Sequence, residues 1–174
     1  MPTLVVIVGP IASGKSTIAT GLAERFRARD RRVALVDLDE LVETIGGFDG
    51  LSLEQFRQAQ MVFGQLVGAW LAQGFDVIAH GPFFDHDEDQ ALLHAIPDGV
   101  VARRVLLRTT LAVALERVRT DPCRGLSTHP DLLEAAYERV DELLPTMPPS
   151  EWTFDTATTD APTIIDELSR SILH

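Results

Sequence analysis

The feature that most constrains this chain is a short loop near its start. Gly9, Pro10, Ile11, Ala12, Ser13, Gly14, Lys15 and Ser16 match the pattern G-x-x-x-x-G-K-[ST] in full. Residues 3–8 before it, Thr-Leu-Val-Val-Ile-Val, are β-branched and almost wholly apolar, as a strand buried on both faces must be. Residues 15–29 after it carry Ile18, Leu22 and Phe26 at four-residue spacing, one apolar stripe of a helix. A loop of this kind between a buried strand and a helix has one physical use. Its glycines let the backbone curl, so the N–H groups of Ile11, Ala12, Ser13 and Gly14 converge on an anion. The helix adds its own unpaired N–H groups and the positive end of its dipole. Lys15 then reaches β- and γ-phosphates, the Ser16 hydroxyl can ligate Mg²⁺, and Thr17 can add an α-phosphate contact. The loop therefore predicts a nucleoside triphosphate bound with Mg²⁺.

Composition sharpens this. The chain holds 14 arginines and one lysine, and that lysine is Lys15. A compact, flexible ammonium is retained where the phosphate chemistry needs one. The formal net charge of −11 repels a polynucleotide backbone, so a nucleic-acid partner is disfavoured. Cys123 is the single cysteine and cannot form an internal disulfide, which points to a reducing, cytoplasmic compartment. The N-terminus has no signal-peptide pattern, and no apolar run reaches the roughly 20 residues of a membrane span. No membrane partner is expected, and the chain is expected to be a monomer or a homodimer.

Further strands are expected at 33–36, 75–79, 100–107 and 152–155, with helices at 52–73, 86–95, through 118, at 131–144 and at 162–173. Ser52 and Gln55 form a capping-box signature, and Gly74 marks that helix's end. Strands alternating with helices along 174 residues imply one domain: an α/β/α three-layer fold with a five-stranded parallel sheet.

In such a sheet, ligands lie outside the carboxyl ends of the strands. Asp37 and Asp39 stand at that end of the second strand, and two residues apart on a strand they share a face. Either carboxylate can take a proton from an attacking hydroxyl or hold Mg²⁺; either can also simply cap the helix that follows. The pattern resembles the small P-loop kinases of the shikimate kinase, gluconate kinase and chloramphenicol phosphotransferase type. That resemblance implies ATP as donor, with Asp39 against the acceptor hydroxyl as base and Asp37 nearer Mg²⁺.

The third strand ends in His80, where many P-loop ATPases carry an aspartate. This departure argues against motor and transporter ATPases, and a satisfied, partly buried histidine is the reading favoured for His80 itself. Gly81, Pro82, Phe83 and Phe84 resemble the acceptor loop of those kinases, with the Gly81 N–H and a phenylalanine wall contacting the acceptor; a turn with two core phenylalanines fits as well. Arg119 and Arg124, five apart, resemble the R-x(4,5)-R spacing of the kinase lid, here about 117–130, where guanidinium groups stabilise charge on the transferred phosphoryl and Arg119 can stack on adenine. Arg117 is read as a surface residue, and Arg103, Arg104 and Arg108 as structural. Residues 155–160 resemble the adenine-side loop.

The expected function is transfer of the ATP γ-phosphoryl group to a hydroxyl of a small molecule, a metabolite or antibiotic. A nucleotide or nucleic-acid end as acceptor is the alternative, as is a non-catalytic ATP-binding module. Between about residues 40 and 100 Arg57 is the only arginine, against many acidic residues, which favours an uncharged or cationic acceptor.

Overall fold

β1 (Leu4–Val8) carries no polar side chain, and all five of its residues are buried. Such a strand needs a neighbour on each edge and a helical layer on each face, and it has both. The structure, a computed structural model, describes residues 1–82, 86–120 and 130–173. β2 (Val33–Asp37), β3 (Asp76–Gly81), β4 (Ala102–Arg108) and β5 (Trp152–Asp155) join β1 in one sheet of order β2-β3-β1-β4-β5. Every pairing is parallel. The fold is a single α/β domain of three layers.

Alternation along the strands sorts the core into two halves. Val5, Ile7, Ile78, Val105 and Leu107 face α1 (Lys15–Arg27) and α7 (Ala161–Ile172). Leu4, Val6, Val8, Val77 and Ala79 face the other way, onto α2 (Leu38–Glu43), α3 (Leu53–Ala72) and α4 (His86–Leu93). Two further helices, α5 (Leu111–Thr120) and α6 (Pro130–Leu143), precede a 3₁₀ turn over Leu144–Thr146.

Local chemistry sets the ends. The Ser52–Gln55 capping box starts α3, and Gly74, at φ 75°, takes the left-handed turn that ends it. At the amino edge of the sheet, Arg31 grips the buried Asp76 with two hydrogen bonds of 2.7 and 2.6 Å, and Asp76 also accepts the Thr3 N–H at 2.7 Å. This bidentate pair fixes β1 and β3 at the end far from the glycine loop.

α3 and α4 meet backbone to side. A Cβ on Gly68 would collide with the carbonyl oxygen of Ala95, a backbone atom that cannot swing away. Gly68→Ala is expected to cost about 1–3 kcal/mol by overpacking, lowering the melting temperature by about 2–4 °C per kcal/mol. A thermal melt matching the wild type would contradict this close approach.

Candidate active site

The glycine loop leaves β1 and enters α1 through two left-handed residues, Gly14 at φ 93° and Ala12 at φ 60°. For Gly14 that is free; for Ala12 it is strained, by about 1–2 kcal/mol. Gly9 has no room for a side chain, since a Cβ there would lie 2.6 Å from the Leu107 carbonyl oxygen and 2.7 Å from Ser13 Oγ. The loop is thus pressed back against β4. The Ser13 N–H closes a turn onto the Pro10 carbonyl at 3.2 Å. α1 begins with no side-chain cap and no acidic residue in its first turn. Its leading N–H groups and the dipole's positive end face outward, which suits an anion and repels nothing that is one. The Lys15 ammonium lies across the loop, donating to the Gly9 and Pro10 carbonyls at 2.9 and 3.0 Å.

The second-strand carboxylates differ from the expected arrangement. β2 ends at Asp37, and α2 starts at once with Leu38, so Asp39 sits in a helix's first turn rather than on the strand. Asp37 is the N-cap: its Oδ1 accepts the Asp39 N–H at 2.9 Å. Asp39 is freed from capping, and its carboxyl stands within the field of Lys15, Asp37 and His80. Burial raises the pKa of Asp39 and of Asp37, with Lys15 pulling both back down. His80 pairs in register with Asp37 on the neighbouring strand and lies 3.5 Å from its carboxylate. Burial first, then the Lys15 charge, lowers His80 to about 4, so its ring is neutral at pH 7. One ammonium, two carboxylates and a neutral imidazole thus gather at the carboxyl edge of β2 and β3, beside the glycine loop.

Ser16 is exposed in the first turn of α1, and Asp37 retains a second carboxylate oxygen. Both are hard oxygen donors of the kind Mg²⁺ selects. Among the described residues no three of His, Cys, Asp and Glu gather as a metal cage. Such a donor set fits an ion that completes its shell with phosphate and water.

On the acceptor side, Gly81 closes β3, buried, and Pro82 follows. Phe83, Phe84 and Arg124 lie outside the described residues. Arg57 is exposed on α3, and the partly buried Arg104 of β4 is neutralised by an ion pair with Asp89 of α4.

The arginines exchange places relative to the sequence expectation. α5 continues through Thr120, so Arg119 is helical; its side chain is 77% exposed and pairs with Glu116 at 2.9 Å. Arg117 is the one against the glycine loop. It donates to the Ala12 carbonyl at 2.9 Å and to the Thr156 carbonyl at 2.6 Å. Two residues escaped sequence reasoning. Thr156 lies in a run of Thr and Asp that reads as capping. Gln60 is 4% exposed with its amide nitrogen unpartnered, the one polar residue on the Ala59, Phe63, Val67 and Leu71 face of α3. That interruption of an apolar stripe was its visible signal.

With this geometry in hand, comparison with known proteins places the chain. Residues 4–130 match the AAA domain family model AAA_33. The chain belongs to that family. No curated protein matches it in sequence. Solved structures match across nearly the whole length: a sugar kinase from Janibacter sp. HTCC2649, at 18% identity and TM-score 0.71, covers 97% of this chain and 94% of its own. Shikimate kinase from Acinetobacter baumannii, at 21% identity and TM-score 0.69, covers 99% and 94%. The Deinococcus radiodurans tunicamycin resistance protein, at 19% identity and TM-score 0.68, covers 99% and 96%. At these identities the likeness shows the fold, that of the small P-loop kinases.

Two pH effects follow. Below 6.5 an unfolded His80 takes a proton that the folded protein refuses until about pH 4. Stability from neutral His80 is present above 6.5 and lost as the pH falls towards 4, by at most about 1.4 kcal/mol per pH unit. His80→Gln should flatten the stability profile between pH 7 and 5; an unchanged slope in melts of the metal-free protein would contradict the burial argument. Asp39 has the opposite sign: with its folded pKa raised, its contribution is present below 3.8 and lost as the pH rises through the folded value. Asp39→Asn should therefore melt higher than wild type at pH 7, by about 2–4 °C, with the gap closing near pH 4.

Proposed function

We propose that the chain is an ATP-dependent phosphotransferase that moves the γ-phosphoryl group to a hydroxyl of a small, uncharged or cationic molecule. The observation that carries this reading is a half-buried carboxylate that caps no helix, Asp39, standing in the field of the glycine loop's ammonium, Lys15. A carboxylate held at a cost in stability, in the first helical turn after a β-strand and beside a phosphate cradle, is the signature of an acid–base group.

In this reading the backbone N–H groups of residues 11–17 hold the triphosphate, and Lys15 leaves the Gly9 and Pro10 carbonyls for the β- and γ-phosphates. Asp39 accepts the proton of the acceptor hydroxyl as its oxygen bonds to the γ-phosphorus and the bond to the β–γ bridging oxygen breaks, releasing ADP. Its raised pKa brings it closer to the range where a base works at neutral pH. When bound by Ser16 and Asp37, Mg²⁺ supplies neutralisation of the phosphate charge. Gly81 and Pro82, with Phe83, form the acceptor wall. Arg119 and Arg124, in a lid at about 117–130, stabilise the transferred group; the exposed Arg119–Glu116 pair is screened by water and weak enough to be given up. Arg119 can then also stack on adenine. Most of the rate comes from positioning and preorganised charge.

A neutral acceptor is supported by charge. On the α3–α4 side of the sheet, Arg57 is solvent-exposed and Arg104 is already paired with Asp89, so no described guanidinium waits for an anionic substrate there. The setting is a cytoplasmic one.

Mass spectrometry of sugars, hydroxy acids and hydroxyl-bearing antibiotics incubated with Mg·ATP tests this directly. The expected product is one phosphoryl group heavier, with the rate falling about 10²–10⁴-fold in Asp39→Asn and product lost in Lys15→Ala. Binding of Mg·ATP with no transfer to any acceptor, and basal hydrolysis unaltered in Asp39→Asn, would instead favour a regulatory nucleotide-binding module.

A further inference from the structure

The glycine loop is held from outside by three side chains on three different elements. Tyr137 of α6 donates its hydroxyl to the Ile11 carbonyl at 2.9 Å. Arg117 of α5 donates to the Ala12 carbonyl at 2.9 Å. Thr156, just after β5, places its hydroxyl 3.0 Å from the Ser13 carbonyl and 3.2 Å from that of Arg108. A threonine has one hydroxyl proton to give. The Ser13 carbonyl is the nearer acceptor, and the Arg108 carbonyl has the Thr156 N–H at 2.8 Å as a donor already, which favours Ser13 for the proton. Arg117 donates a second bond to Thr156 Oγ1 at 3.0 Å, which locks that hydroxyl's orientation.

Three consecutive carbonyls are therefore drawn to one side. In a trans peptide, the C=O of one residue and the N–H of the next point in opposite directions. Drawing Ile11 and Ser13 carbonyls outward turns the Ala12 and Gly14 N–H groups inward, while the Ser13 N–H closes the turn onto Pro10. Between them lies Ala12 in its strained left-handed conformation, the residue whose carbonyl Arg117 grips. A strained residue persists only where its surroundings over-determine it.

We propose that Tyr137, Arg117 and Thr156 are positioning residues forming a carbonyl clasp, which holds the loop's N–H groups in their anion-binding arrangement. The proposal rests on the reading of residues 9–17 as a phosphate cradle, and it does not depend on what the acceptor is. Tyr137 suits the task because burial pushes its phenol up to about 12, so it remains a donor at every physiological pH. The apolar contacts of Ala12 with Ala114, Val118 and Leu133 seat the same two helices on the loop. The clasp thus ties α5 and α6, the helices on either side of residues 121–129, to the phosphate site.

The test is calorimetric titration of the full chain with inorganic tripolyphosphate and, separately, with ATP, both with Mg²⁺. Tyr137→Phe and Thr156→Val remove one hydroxyl each with little change of shape. Each should weaken tripolyphosphate binding about three- to tenfold. ATP should weaken by the same factor, because only the phosphate part is affected. Thr156→Ser, which keeps the hydroxyl, should restore binding. Both anions bound as in wild type by Tyr137→Phe and Thr156→Val, even with lower melting temperatures, would make the three side chains merely structural and overturn the clasp. A wild-type chain that binds neither anion would overturn the cradle reading itself.

Discussion

A single ammonium organises the carboxyl edge of this sheet. Lys15 is the chain's one lysine, and its field reaches Asp37, Asp39 and His80 together. Burial alone would push the two carboxylates towards their neutral form; Lys15 opposes that and keeps charge available where it is needed. The same charge adds to burial in holding His80 neutral. A second cation in place of that histidine would compete with Lys15 for the phosphates; a neutral ring does not. The loop, the strand ends and the helix starts around it are arranged so that the ammonium can serve two sets of oxygen atoms, backbone carbonyls or phosphates.

The price of this arrangement is visible in the ground state. Asp39 is half-buried without a capping role, Ala12 is left-handed, and Gln60 carries an unpartnered amide on α3. Each breaks a rule that the rest of the chain obeys, and two of them, Asp39 and Ala12, lie at the same end of the sheet. The opposite end shows the contrast: Asp76 there is more deeply buried, yet Arg31 and the Thr3 N–H satisfy it fully. Proteins tolerate locally unfavourable groups where chemistry requires them and compensate elsewhere.

The strand, loop and first helix were legible in the sequence because their signals are local: an apolar run, two glycines, a four-residue stripe. The final strand at 152–155 and the α3 capping box were legible for the same reason. β3 extends two residues past its apolar run, through His80 and Gly81, because their backbones pair with Ile7 and Val8 whatever their side chains are. Asp39 passed from strand to helix because the Asp37 side chain caps Asp39's own N–H, a choice between two local hydrogen-bond patterns that composition cannot decide. The arginines turned on where α5 ends, two residues beyond the expected Val118. With α5 continuing to Thr120, Arg119 lies about 200° around the axis from Arg117, so one faces the loop and the other water. Clasp residues such as Tyr137 and Thr156 act through contacts more than a hundred positions away, and no sequence window contains them.

A crystal structure of the protein with Mg²⁺ and a non-hydrolysable ATP analogue tests the central claim most directly. The account predicts β- and γ-phosphates on the N–H groups of residues 12–17, Lys15 moved from the Gly9 and Pro10 carbonyls onto those phosphates, and the Asp39 carboxylate facing the γ-phosphate. A nucleotide bound elsewhere, or one bound in the loop with Lys15 still on its two carbonyls and Asp39 turned away, would contradict it.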